Sequence, residues 1–169
     1  MQRTVETSSL LRERVSQVPG KIATMTEAVA RKDFEAVAEL AMRDSNQFHA
    51  VCLDTFPPLS YLNDSSHAII RSVHALNKCA GRTVAGYTFD AGPNAVLLVR
   101  DRDIPLLFSS LSWLIPSSAW PEISSQAQFI TPASTPALQL LHQCTPEQRV
   151  TVSKVFVAKI GCGPVKVIE

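Results

Sequence analysis

Glycine is scarce and scattered in this chain. Its six glycines, Gly20, Gly81, Gly86, Gly92, Gly161 and Gly163, form neither a Walker loop nor a Gly-x-Gly-x-x-Gly turn, so no stretch is built to cradle a nucleotide phosphate. Gly161-Cys162-Gly163 follows an apolar run, but Pro164 comes next and no helix signal does. The four cysteines, Cys52, Cys79, Cys144 and Cys162, lie far apart. Without a Cys-x-x-Cys the usual zinc spacing is missing, and a disulfide scaffold is not expected at this density; they read as structural or free thiols in a reducing compartment. No metal site is expected. His67 and His74 stand seven residues apart, too far for a His-x-x-x-His pair, and His49 and His142 are isolated. All four read as surface or satisfied core histidines. A Gly-x-Ser-x-Gly elbow is absent, which leaves a serine triad unsupported.

An excess of one charge is also missing. Sixteen basic side chains face fifteen acidic ones, which argues against nucleic-acid or membrane-surface binding through bulk charge. No apolar run reaches the length of a membrane span. The first twenty residues carry charges throughout and contain no signal-like apolar segment. A hydrophobic fraction of 46% with 18% charged residues over 169 positions fits one folded domain with a sizeable core. The cytoplasm is the expected compartment.

From Thr7 to Gly81 the pattern is helical. Ser8 or Ser9 can cap a short helix through Val15. Pro19 suits the first turn of a following helix, with Ile22, Met25 and Val29 on its apolar side. From Asp33 to Leu53, Phe34, Val37, Ala41, Phe48 and Cys52 share a helical stripe that Asp44 or Ser45 interrupts. A polar break of this kind serves a site or a buried polar contact, or it marks a helix that ends, kinks or rotates its stripe. Phe56-Pro57-Pro58 stops the helix. Asn63 or Asp64 then caps another, carrying Ile69, Val73 and Leu76, with Gly81 beyond its end.

After Gly81 the period changes to two. Thr83 to Phe89 reads as a strand with Ala85, Tyr87 and Phe89 on one face and the smaller Val84, Gly86 and Thr88 on the other. Small side chains there leave room for another element or a ligand. Ala95 to Val99 reads as a buried strand, joined by a link short enough for a hairpin. Asp103 can cap a helix with Pro105 in its first turn and Leu107, Leu111 and Leu114 as core contacts. Ser117 to Pro136 reads mostly as loop, with a strand near Gln128-Phe129-Ile130. Pro136 to Gln143 is helical, and Val152 to Ile160 reads as the last strand. The order favours an α+β fold, with helices laid on one face of a mainly antiparallel sheet.

Phe89-Asp90-Ala91-Gly92-Pro93-Asn94-Ala95 carries the most information. Asp90 stands where an apolar run ends and a Gly-Pro turn begins. By composition alone it is either a turn-former bonding its own backbone or an acid held at a cleft mouth.

Together with Val5-Glu6-Thr7-Ser8, Asp44 to Ala50, Cys52 to Pro58 and Tyr61-Leu62-Asn63-Asp64, the string Tyr87 to Ala95 resembles the diphosphomevalonate decarboxylases, of the superfamily of galactokinase, homoserine kinase and mevalonate kinase. The likeness is ordered from Met1 to about Val99, weakens through Ser117 to Thr135, and returns faintly at Ile160 to Pro164. It implies the ferredoxin-like carboxy-terminal domain of those small-molecule kinases. It implies use of ATP and Mg²⁺ to phosphorylate the tertiary hydroxyl of mevalonate 5-diphosphate, then loss of phosphate and CO₂ to give isopentenyl diphosphate, in the isoprenoid and sterol pathway. Asp90 is the matching catalytic carboxylate. Met1, Ala91 and Gly92 are expected at the substrate, with Asp44 and Ser45 supporting the site from behind. A homodimer is implied. The family's phosphate loop and its substrate-carboxylate arginine lie in an amino-terminal half that has no counterpart here. The 169 residues are therefore expected to be the carboxy-terminal domain, with ATP and Mg²⁺ held mainly by the other half and negligible turnover alone. The alternative is a catalytically dead module that pairs with a full-length homologue.

Overall fold

A computed structural model describes residues 2–112, 114–115 and 150–158. Their order is α1 (Gln2–Thr7), α2 (Ser9–Ala30), α3 (Phe34–Asp54), α4 (Asp64–Ala80), β1 (Ala85–Phe89), β2 (Ala95–Val99) and, after a 3₁₀ turn, α5 (Ile104–Leu111). The two strands form an antiparallel hairpin in which Ala85 faces Val99 and Phe89 faces Ala95. This is the expected α+β arrangement, with helices packed on an antiparallel pair.

Local chemistry sets several boundaries as anticipated. Asn63 caps α4 by accepting the Ser66 N–H, while Ser66 Oγ accepts the Asn63 N–H. Gly81 ends the helix at φ 64°, a backbone state that costs a residue with a Cβ. Asp33 caps α3 through the Ala36 N–H, and α3 stops at Asp54, ahead of the two prolines.

Other boundaries depart from the expectation. α2 runs unbroken from Ser9 to Ala30 with Pro19 inside it, where two helices were expected. Packing along α3 carries the helix past a residue that cannot donate to it. Its start is capped from outside. Asp54, at the end of α3, accepts the Leu10 N–H at 3.1 Å and the Ser8 hydroxyl at 2.7 Å. These bonds lower the Asp54 pKa, the Leu10 N–H most of all. β2 is half-buried rather than buried, and Val96 is exposed, because no further strand covers it among the described residues. Residues 152–158 form no strand; the Val150 N–H just before them bonds the Leu114 carbonyl, and a strand needs a paired ladder. The expected loop over Ser117–Pro136, the strand at Gln128–Ile130 and the helix at Pro136–Gln143 lie outside the described residues.

The core joins Ala85, Tyr87 and Phe89 of β1 to Ile69, Val73 and Leu76 of α4, Leu107 and Leu111 of α5, and Leu114. Truncating one of these leucines to alanine costs about 2–5 kcal/mol. Tyr87 is fully buried, and its hydroxyl donates to Asn46 Oδ1 at 3.1 Å and lies 3.1 Å from His74 Nε2. That one phenol ties β1 to α3 and to α4; burial raises its pKa.

Candidate functional site

The hairpin turn carrying Asp90 is anchored from two helices. A strand residue turns its N–H and its C=O toward the same edge, and alternate residues share an edge. On the edge of β1 away from β2, helix side chains take the place of a neighbouring strand. Asn77 of α4 donates to the Ala85 carbonyl at 2.8 Å and accepts the N–H groups of Val84 and Ala85. At the other end, Ser45 Oγ of α3 accepts the Phe89 N–H at 3.0 Å. The turn that follows is tied to α4, whose Ser66 Oγ lies 3.3 Å from the Pro93 carbonyl.

Asp90 is thus the first residue past a strand fixed on both sides. It is exposed, so its carboxylate is open to a ligand. Its own carbonyl accepts the Gly92 N–H at 2.8 Å, which closes a three-residue turn. Ala91 is exposed and Gly92 half-buried beside it, and a Cβ on Gly92 would meet nothing within 4 Å. The structure therefore brings Asp90, Ala91 and Gly92 together at one open corner. Met1 lies outside the described residues.

Ser45 and Asp44 part company. α3 does not end at this point but runs on to Asp54. Its buried residues are Ala38, Met42, Ser45, His49, Val51 and Cys52, a different stripe from the expected one through Phe34, Val37, Ala41 and Phe48. Ser45 interrupts that stripe because it bonds the end of β1. Asp44 instead turns toward α2. It accepts both guanidinium nitrogens of Arg14 at 2.8 and 2.9 Å and the Lys21 ammonium at 2.9 Å. Arg14 and Lys21 also reach Gln47. Those bonds, Arg14 first, hold the Asp44 carboxyl below its ordinary pKa against the opposing effect of burial. The cluster lines a groove of about 750 Å³ between α2 and α3, bordered by Val18, Ile22 and Met25 and reached by Thr88.

His49 is neither a surface nor a satisfied core histidine. It is 6% exposed, and among the described residues its Nε2 has no hydrogen-bond partner. Its ring sits edge-on to Phe48, Tyr61 and Phe89. Burial lowers its pKa, opposed by the nearby Phe89 backbone and by the charge of Asp90. The one available signal was its spacing: Ser45 and His49 are four apart, hence on one face of a helix. Asp103 was expected to cap α5 but makes no side-chain capping bond. Its buried carboxylate pairs with Arg82 at 2.6 Å and Arg100 at 3.0 Å, a stronger use of the charge.

Among the described residues, no group of three or more His, Cys, Asp or Glu side chains could hold a metal ion. Nor is any helix among them long and apolar enough to cross a membrane.

Comparison with known proteins places the whole chain. The chain is 40% identical over 172 aligned residues to diphosphomevalonate decarboxylase of Gibberella zeae, covering 100% of this chain and 43% of that protein. The solved mevalonate diphosphate decarboxylase from Trypanosoma brucei superposes with a TM-score of 0.74 at 29% identity, covering 83% of this chain and 39% of that one. A structure of MDDEF in complex with MVAPP, AMPPCP and magnesium gives a TM-score of 0.57 at 28% identity, with coverage of 65% and 33%. The chain spans less than half the length of the curated relatives it matches. Residues 1–167 match the family described as the mevalonate 5-diphosphate decarboxylase C-terminal domain, and to that family this chain belongs.

Proposed function

We propose that residues 1–169 are the carboxy-terminal domain of an enzyme that decarboxylates mevalonate 5-diphosphate to isopentenyl diphosphate at the expense of ATP, with Asp90 as its catalytic carboxylate. The observation that carries this reading is the exposed Asp90 on a turn clamped by Ser45 and Ser66. A carboxylate fixed at that corner can accept a hydrogen bond from the substrate's tertiary hydroxyl. It can take that proton, or orient the alcohol and stabilise developing positive charge. Ala91 and Gly92 would lie along the substrate, the missing Cβ of Gly92 leaving room for it. Ser45 supports Asp90 through Phe89, whereas Asp44 supports the packing of α2 on α3.

The described residues do not fit a site for ATP or Mg²⁺: they offer neither a metal-ligating cluster nor a glycine-rich loop. We assign both to residues outside this stretch, and the isolated chain should show negligible turnover. A homodimer is part of the same reading. The test joins this domain to the amino-terminal half of a family member and measures isopentenyl diphosphate formation with and without Asp90→Asn. Turnover that appears on joining and falls by about 10²-fold or more with the Asn change, a typical loss for a positioned acid–base group, supports the reading. An undiminished rate with Asp90→Asn overturns it.

A further inference from the structure

The groove between α2 and α3 is separate from the hairpin corner: none of Asp90, Ala91 and Gly92 lines it. Its walls divide into two chemistries. Arg14, Lys21, Asp44 and Gln47 form a polar cluster, in which Arg14 and Lys21 donate to the same two acceptors, Asp44 Oδ1 and Gln47 Oε1. Ile22 and Met25 of α2, with Leu40 and Ala41 of α3, line an apolar stretch. From Arg14 to Met25 the helix climbs about 16 Å, at about 1.5 Å per residue. A cavity of about 750 Å³ with a mostly apolar wall and a few convergent polar groups has the character of a small-molecule site.

Charge in the polar cluster is not cancelled. Arg14 and Asp44 already make a complete bidentate pair. Lys21 adds a second cation to the same carboxylate, and Gln47 accepts from both cations without carrying charge. Arg43 also lines the groove, but Glu39 pairs with it. The lining residues and their ion pairs therefore hold one surplus positive charge. Water screens such a surplus at an open surface, yet the Arg14 side chain is only 18% exposed and that of Lys21 31%. The Phe48 ring lies 5.9 Å from the Arg14 guanidinium carbon. Of the three donors a lysine carries, Lys21 spends two within the cluster. Packing of α2 on α3 does not require a lysine here, whereas an anion in the groove does.

We propose that this groove binds a straight-chain monocarboxylate, with its carboxylate on Lys21 and Arg14 and its chain along Ile22, Met25, Leu40 and Ala41. A single negative charge cancels the surplus, whereas a phosphate monoester, at about −1.5 to −2, exceeds it. The site stands independently of the catalytic reading of Asp90.

Decanoate is the probe, titrated below its micellar range into the 169-residue chain and into the joined enzyme. Calorimetry should show one decanoate per chain with a Kd of about 10⁻⁶–10⁻⁴ M. Decanol, which lacks the charge, and decyl phosphate should each bind about tenfold more weakly or worse. Lys21→Met keeps an apolar stem and removes the charge. It should weaken decanoate binding by about tenfold or more, the effect of one hydrogen bond to a charged group, and Lys21→Arg should retain binding. Ile22→Glu places a carboxylate on the apolar wall at a residue that is 61% exposed, so it should weaken binding by a similar factor in a folded protein. Unchanged affinity in Lys21→Met overturns the proposal, as does decanol or decyl phosphate binding as tightly as decanoate. Absence of saturable decanoate binding overturns it too. Binding to the 169-residue chain but not to the joined enzyme means that the other half fills the groove, and overturns the ligand site. If Lys21→Met fails to fold, Ile22→Glu decides: weakened binding supports the site, and unchanged binding overturns it.

Discussion

Gly86 and Ala38 touch across the interface of β1 and α3. A Cβ built on Gly86 would lie 2.9 Å from the Ala38 Cβ and 3.0 Å from its Cα. Contacts that close force the backbones apart, so this pair sets how near the helix lies to the strand. Gly86→Ala should destabilise the protein by about 1–3 kcal/mol, the usual range for overpacking. Ala38→Gly removes the Cβ contact, leaves the Cα and carbonyl oxygen of residue 38 at 3.0 and 3.1 Å from the added Cβ, and weakens the helix by about 1 kcal/mol. The double variant should lose less than the sum of the two, as contacting residues do. Urea unfolding of the four proteins measures this, and strict additivity would show that the contact is unimportant.

The Ser45 hydroxyl gives a second test. Both Ser45 and Phe89 are buried, so Ser45→Ala leaves the Phe89 N–H with neither protein partner nor water. The expected loss is about 1–3 kcal/mol. Ser45→Gly should do no better, since it lacks the oxygen too. If Ser45→Ala is neutral in denaturant titration, the end of β1 is held by something else.

How much of this was readable beforehand depends on the type of signal. The Asn63 cap, the Gly81 stop and the Thr83–Val99 hairpin follow from local backbone chemistry, which a short stretch of sequence displays. The vacant face at Gly86 was also visible, although nothing local said that Ala38 would fill it. The continuity of α2 through Pro19 was hidden, because tertiary packing on α3 overrides the local penalty. Asp44 and Ser45 are adjacent in sequence, yet a helix rotates successive residues by about 100°, which sends one to α2 and the other to β1. His49 could not be separated from an ordinary core histidine without knowing that Phe89 lies beside it.

Asp103 predicts a pH effect. Its carboxyl titrates below the ordinary 3.8, chiefly through the Arg82 hydrogen bonds, with Arg100 assisting and burial opposing. A depressed folded pKa means the unfolded chain takes up the proton first as pH falls. The stabilisation is therefore complete above the ordinary value of 3.8 and is lost below it, as pH drops through the folded pKa. Asp44 and Asp54 are shifted in the same direction and add to the same acid window. Asp103→Asn should cost about 1.5–3 kcal/mol at neutral pH, as for a hydrogen bond to a charged group. It should also make stability fall less steeply in acid. An unchanged acid slope in urea titrations across that window would contradict the assignment.

Pro19 makes the last prediction, and its sign is opposite. The residue is exposed in the middle of α2, where it denies the helix one N–H and crowds the carbonyl of Val15, four residues earlier. An interior proline costs about 3 kcal/mol relative to alanine. Part of this is offset because proline also stiffens the unfolded chain, by about 0.4–1 kcal/mol. Helix loss outweighs chain stiffening, so Pro19→Ala should stabilise the protein by about 2 kcal/mol and raise Tm. The gain appears only if α2 is one continuous helix. If it were two helices meeting at Pro19, the proline would sit in a first turn that suits it, and alanine would lower Tm instead. Thermal unfolding followed by circular dichroism therefore reads the continuity of α2 from the sign of a single shift.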